Sequence, residues 1–194
     1  TPVHFRKGEG RMQGFEFVPL GLPDVWLIKN FHAGDNRGGF TKIFERGIFL
    51  SHGVTFTADE VFASVSAKNV VRGLHFQTHR PQAKLVAVLS GEVWDVAVDL
   101  RPKSRTFGKW VGVGLSAENH HALYIPRGFA HGFASLSDGT VMLYQCEGAY
   151  DRETDTGIRF DDPGLAIPWP VGEGDAIHSE RDLGLMGLEE DLRR

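Results

Sequence analysis

The sequence has a single cysteine, Cys146, among 194 residues, so no disulfide can form within the chain. One thiol is compatible with a reducing compartment, and a cytoplasmic location is the expectation. No apolar run approaches the ~20 residues of a membrane-spanning helix, and the first residues lack the pattern of a secretory leader. Neither sign of charge dominates: a net charge of −4 gives no general reason to expect binding to nucleic acid or to a membrane. There is no internal repeat, no low-complexity tract and no linker rich enough to divide the chain. A single domain large enough to bury a core fits what is left.

Glycine and phenylalanine are plentiful, at 24 and 14 residues, as suits an all-β chain with many tight turns. Short strands are expected at 25–28, 40–44, 61–66, 83–89, 92–100, 109–115 and 141–146, with a short helix at 48–52. Leu183, Leu185, Leu188 and Leu192 have spacings that suit one short helix at the end. Residues 1–20 show no clear period and read as an N-terminal arm, which leaves 21–194 as the domain. Many short strands with frequent turns point to a sandwich or barrel.

The most informative stretch is Arg72-Gly73-Leu74-His75-Phe76-Gln77, followed by two strands joined at Gly91. Further on comes Pro126-Arg127-Gly128-Phe129-Ala130-His131. This order resembles the two-part signature of the cupins, which implies a double-stranded β-helix, or jelly-roll barrel, with short peripheral helices. Most cupins place four metal ligands in that signature. Here only His75 and His131 remain. Gln77 stands at the second His position and Lys84 at the Glu position. An ammonium offers donors and no lone pair, so the expectation is a barrel without metal. A fixed cation in that place suits a developing oxyanion.

A longer match makes the resemblance specific. Its stretches include Asp35-x-Arg37-Gly38-x-Phe40, Ser64-x-Ser66, Val71 to Gln77, Gln82-Ala83-Lys84, and Asp95-Val96-x-Val98-Asp99-Leu100-Arg101. Tyr124 to Phe133, Tyr144, Asp161-Asp162-Pro163 and Ser179-x-Arg181-Asp182 continue it in the same order. On these residues the chain resembles the dTDP-4-dehydrorhamnose 3,5-epimerase family, which act on nucleoside-diphosphate 4-ketosugars. The resemblance implies a homodimer working without a cofactor. It also implies His75 as base, Asp182 as the carboxylate that orients it, Lys84 at the enolate oxygen and Tyr144 as the acid. Arg37, Arg72 and His131 align with groups that hold the diphosphate and sugar, and Phe40 and Tyr150 with positions that stack near the base.

The chemistry asks for the same set on its own terms. Inverting a carbon beside a ketone needs a base, a charge partner for the enolate oxygen, and an acid on the opposite face. Imidazole titrates near neutral pH and suits the first task, although a lone strand His is more often structural. Three departures concern recognition. Lys42 stands where the family has a Glu that contacts thymine, and Glu60 and Phe62 stand where it has Gln and Asn. They suggest a changed nucleotide or sugar. The rival readings are a sugar 3- or 5-monoepimerase, a 3,4-ketoisomerase, a metal-dependent oxygenase, and a non-catalytic sugar-binding module.

Overall fold

The computed structural model describes residues 14–172 and 174–191. Among these the chain forms β1 (Glu16–Pro19), β2 (Trp26–Lys29), β3 (Phe31–Asp35) and β4 (Gly38–Lys42), then helix α1 (Arg46–Ser51). It continues through β5 (Glu60–Ser66), β6 (Val71–Gln77), β7 (Ala83–Ser90), β8 (Glu92–Asp99) and β9 (Trp110–Ser116). Next come β10 (His121–Ile125), β11 (Phe129–Ser135), β12 (Thr140–Glu147) and β13 (Asp155–Gly157), and then α2 (Glu180–Leu183) and α3 (Leu188–Asp191). The strands make a six-stranded sheet in the order β1-β2-β10-β7-β12-β5 and a five-stranded sheet in the order β13-β6-β11-β8-β9. The β3–β4 pair forms a separate hairpin. Every pairing between named strands is antiparallel. This is the all-β jelly roll that the motif order implied. No described helix is long and apolar enough to cross a membrane.

Alternation along the strands decides which residues face the barrel interior. Val86 and Val88 of β7, Val93 and Ala97 of β8, Phe129 and Phe133 of β11, and Met142 and Tyr144 of β12 share one core between the sheets. The intervening residues face outward but are covered as well. Ala83, Leu85 and Ala87 pack with Phe49 of α1 and with Phe56, and Val96, Val98 and Ala130 pack with Ile158, Leu165 and Ile167 of the C-terminal segment. Each fully buried Val, Leu or Phe contributes about 1.5–3 kcal/mol. Lys84, Asp95 and His131 occupy inward positions and forgo that gain, so they mark the part of the barrel where packing does not set the residue.

Two expectations need correction. The expected arm runs to residue 20, but Glu16–Pro19 pairs with Trp26–Lys29 at the edge of the larger sheet. Phe15 and Phe17 pack edge-on against Phe49. A four-residue strand is too short to show a period in the sequence. Residues 1–13 of the expected arm lie outside the described residues. The single C-terminal helix is instead two, α2 and α3, separated at Gly184 and Gly187. Asp162 Oδ2 accepts from the Leu188 N–H and starts the second. Leu192 lies outside the described residues.

Candidate active site

Gly73 explains how β6 carries His75 into the barrel. Its φ is +105°, and a Cβ there would come within 2.6 Å of the His131 carbonyl oxygen. Only glycine allows β6 to lie this close to β11 at such a φ. The same residue donates its N–H to Asp182 Oδ2 at 3.1 Å. Asp182 Oδ1 then lies 2.7 Å from His75 Nε2. Asp182 is itself held in the first turn of α2, where its N–H donates to the Ser179 hydroxyl at 3.1 Å. The helix-terminus role and the histidine-orienting position are therefore filled by one side chain. Burial alone would raise the Asp182 carboxyl, but the His75 ring, the Gly73 N–H and Arg181 together hold it below its ordinary value. An ionised carboxylate can only accept. His75 therefore carries its proton on Nε2, and Nδ1 keeps the basic lone pair.

Tyr144 comes from β12 in the facing sheet. Its ring is buried, stacks on Phe62 at 4.8 Å between centroids, and meets His131 edge-on at 5.9 Å. Burial, together with the nearby charge of Asp95, pushes the phenol well above its ordinary value. Its proton therefore stays in place at neutral pH.

Lys84 of β7 faces the same interior. Burial lowers its ammonium, while Cys146, Asp155 and Asp95 pull the other way. Together with Gln77, Phe129 and Asp155 it lines a narrow pocket. Cys146 stands across from Lys84 in the register, its thiol pushed up to about 11 by burial.

His75 and His131 are cross-strand partners, as the two remaining cupin histidines should be. Each is committed to a carboxylate: His75 to Asp182, and His131 Nε2 to both oxygens of Asp95 at 2.9–3.0 Å. With an ammonium on the facing strand, this donor set does not suit a dication. Among the described residues no three metal-ligating side chains form a group that could hold a metal ion.

The expected binding residues divide. Arg72 lies beside the site, with Nε donating to Ser66 Oγ at 3.1 Å and Nη2 to the Val65 carbonyl at 3.2 Å. His131 is 3% exposed; its Nε2 is paired with Asp95, and its ring meets that of Tyr144 edge-on. Glu60 is tied to the chain, accepting from the Tyr150 N–H at 2.6 Å. The Tyr150 hydroxyl donates to Asp155 Oδ2 at 3.1 Å and leaves the ring exposed. Arg37, Phe40 and Lys42 sit on the β3–β4 hairpin, and the structure does not bring them to His75. Arg37 is bound to Asp35, Lys42 to Glu45 at 2.8 Å, and Phe40 is 57% exposed. Two groups at the site went unassigned in the sequence: Asp95, which fixes His131, and Asp155, which Tyr150 and Arg181 share. An acid in the inward register of an otherwise apolar strand was the signal for Asp95.

A jelly roll that carries an oriented imidazole on one sheet, and a phenol and an ammonium on the other, is a cupin built for proton transfer. The family described as dTDP-4-dehydrorhamnose 3,5-epimerase matches residues 19–190. The curated protein of that name from Methanothermobacter thermautotrophicus is 43% identical over 180 residues, 92% of this chain and 97% of its own length. A dTDP-6-deoxy-D-glucose-3,5-epimerase structure from Legionella pneumophila, in complex with dTDP-4-keto-L-rhamnose, superposes with a TM-score of 0.87. It is 41% identical and covers 91% of this chain and 94% of its own. A 4-keto-6-deoxy sugar epimerase from the novobiocin gene cluster of Streptomyces spheroides gives a TM-score of 0.88 at 34% identity, covering 97% and 94%. The chain belongs to the dTDP-4-dehydrorhamnose 3,5-epimerase family.

Proposed function

We propose that this protein epimerises a nucleoside-diphosphate 4-keto-6-deoxyhexose, with dTDP as the carrier, by moving protons at C3, C5 or both. The observation that carries this reading is the placement of base and acid on facing sheets: His75 on β6 and Tyr144 on β12. A sugar ring between them has a base on one face and a proton donor on the other.

The steps follow from the groups present. His75 Nδ1 removes the proton from a carbon beside the C4 ketone. The electron pair of that C–H bond moves into the ring, and the ketone oxygen becomes an enolate. Asp182 steadies the imidazolium that forms. The Lys84 ammonium faces the negative oxygen, where a preorganised cation acts more strongly than a mobile one in water. The enolate carbon then takes the Tyr144 proton from the opposite face, the ketone re-forms, and the stereocentre is inverted. Solvent returns protons to the phenol and takes them from His75.

The partner reading is a homodimer in which the hairpin of one copy completes the site of the other. Its support is that Arg37, Phe40 and Lys42 are exposed and stand apart from His75 in their own chain. Arg is well shaped for a diphosphate. The test of the reaction is incubation with dTDP-4-keto-6-deoxyglucose in deuterated water, followed by mass and product analysis. One or two deuterons in an inverted 4-ketosugar are expected, and their positions give C3, C5 or both. Absence of uptake, or migration of the keto group to C3, would overturn the reading.

A further inference from the structure

We propose that Phe62 is a positioning residue that locks the Tyr144 ring and so sets how often a removed proton is replaced from the opposite face. The proposal rests on Tyr144 being the acid.

Phe62 lies on β5, the edge strand of the larger sheet, directly across from Tyr144 in the register. The two rings are nearly parallel, at 12°, with centroids 4.8 Å apart. On the other ring Tyr144 meets, that of His131, the angle is 72°, and His131 is fixed in turn by Asp95. Tyr144 is thus held between a ring anchored by a buried carboxylate and a ring on the edge strand. Among the described residues Phe62 stacks with no other ring, and it is 47% exposed. A half-exposed aromatic on an edge strand adds little to the core, so its contact with Tyr144 is its main structural consequence. The base is untouched by this arrangement: His75 and Asp182 belong to the other sheet and its C-terminal segment. A residue placed this way acts on the second proton transfer and not on the first.

The test compares wild type with Phe62→Leu, which removes the flat contact, and Phe62→Trp, which keeps it. Solvent deuterium exchange reports the first step, and inverted product per exchange event reports the second. Phe62→Leu should leave exchange within about threefold, because distant sites act independently. Inversion per exchange should fall about tenfold or more, as small misplacements of a catalytic group do. Phe62→Trp should restore the ratio. A ratio unchanged in Phe62→Leu overturns the proposal, and so does a parallel loss of exchange and inversion that Phe62→Trp fails to rescue. NMR of 13C-labelled tyrosine gives a readout independent of turnover. Slow Tyr144 ring flipping in wild type and Phe62→Trp, but fast in Phe62→Leu, supports the lock, whereas equal flipping in all three overturns it. If wild type exchanges no deuterium, the proposed reaction is what fails, and the ring-flip comparison still decides the role of Phe62.

Discussion

The barrel interior around His75 and the β3–β4 hairpin carry similar residue types but hold them differently. In the interior, the two histidines answer to groups far away in sequence: His75 to Asp182, 107 positions on, and His131 to Asp95, 36 positions back. On the hairpin the pairs are local. Arg37 bonds Asp35 two residues before it, and Lys42 bonds Glu45 three residues after it. A long-range pair exists only when the fold is complete and fixes geometry within a buried site. A local exposed pair is worth about 0–1 kcal/mol, so a diphosphate can displace it cheaply. The interior therefore reads as a fixed constellation, and the hairpin as a set of groups still available to a ligand.

The sharpest way to break this comparison is to remove the base. His75→Ala should lower solvent deuterium exchange about 10²–10⁴-fold, the range for general bases, with an unchanged circular dichroism spectrum. A folded variant with wild-type exchange would remove His75 from the first step.

The hairpin predicts a smaller effect with a distinctive form. Arg37→Ala should cost about 10–100-fold in kcat/KM, the worth of a charge-assisted contact to phosphate. If the arginine serves the second copy, mixing Arg37→Ala with His75→Ala, after exchange of subunits, rebuilds one intact site in each mixed dimer. About a quarter of wild-type activity should then return. A mixture no better than its parents would place the hairpin in its own chain's site or outside any site.

Asp182 links the interior to stability. Its folded carboxyl titrates below the unfolded value of about 3.9, through the His75 ring and the Gly73 N–H. Above that value both states are ionised, and its contribution is fully present. As pH falls below about 4 the unfolded chain takes up the proton first. The contribution is lost as pH drops further through the folded value. Chemical denaturation from pH 6 to 3 should show Asp182→Asn with a flatter acid limb than wild type. Identical limbs would show that the dyad adds nothing to folding.

The sequence disclosed most where one face is apolar and the other polar, or where a special backbone leaves its mark. β8 alternates clearly, and Gly73 precedes the histidine it positions. β11 carries no strand signal in the sequence because all seven of its residues are buried, and a strand covered on both faces shows no alternation. The stack of Phe62 on Tyr144 required the register of β5 against β12, which residue types do not encode. The tie from Glu60 to the Tyr150 N–H joins residues 90 apart. The signature places the proposed reacting groups, because their backbone demands are local, while the wall around them is assembled from segments whose meeting no spacing announces.

Lys42 makes the smallest prediction and tests the hairpin most directly. An ammonium can only donate, so it would face the N3–H of thymine or uracil poorly and the N3 acceptor of cytosine well. In the structure Nζ is 2.8 Å from Glu45 Oε2 and 5.7 Å from the centre of the Phe31 ring, and both charged side chains are about half exposed. A lysine satisfied in this way, with a flexible stem, has little reason to read a base. Lys42→Glu would set two carboxylates three residues apart, at a cost of a few tenths of a kcal/mol, and leave the stacking of Phe40 or Tyr150 untouched. In a titration of dTDP, UDP, CDP and GDP, wild type should prefer dTDP, and Lys42→Glu should keep the same order with Kd changes under about threefold, the range of exposed ion pairs. A wild type that prefers CDP, with the mutant moving toward dTDP, would place the ammonium on the base. The hairpin would then be a specificity element in its own right, not a positioner of phosphate.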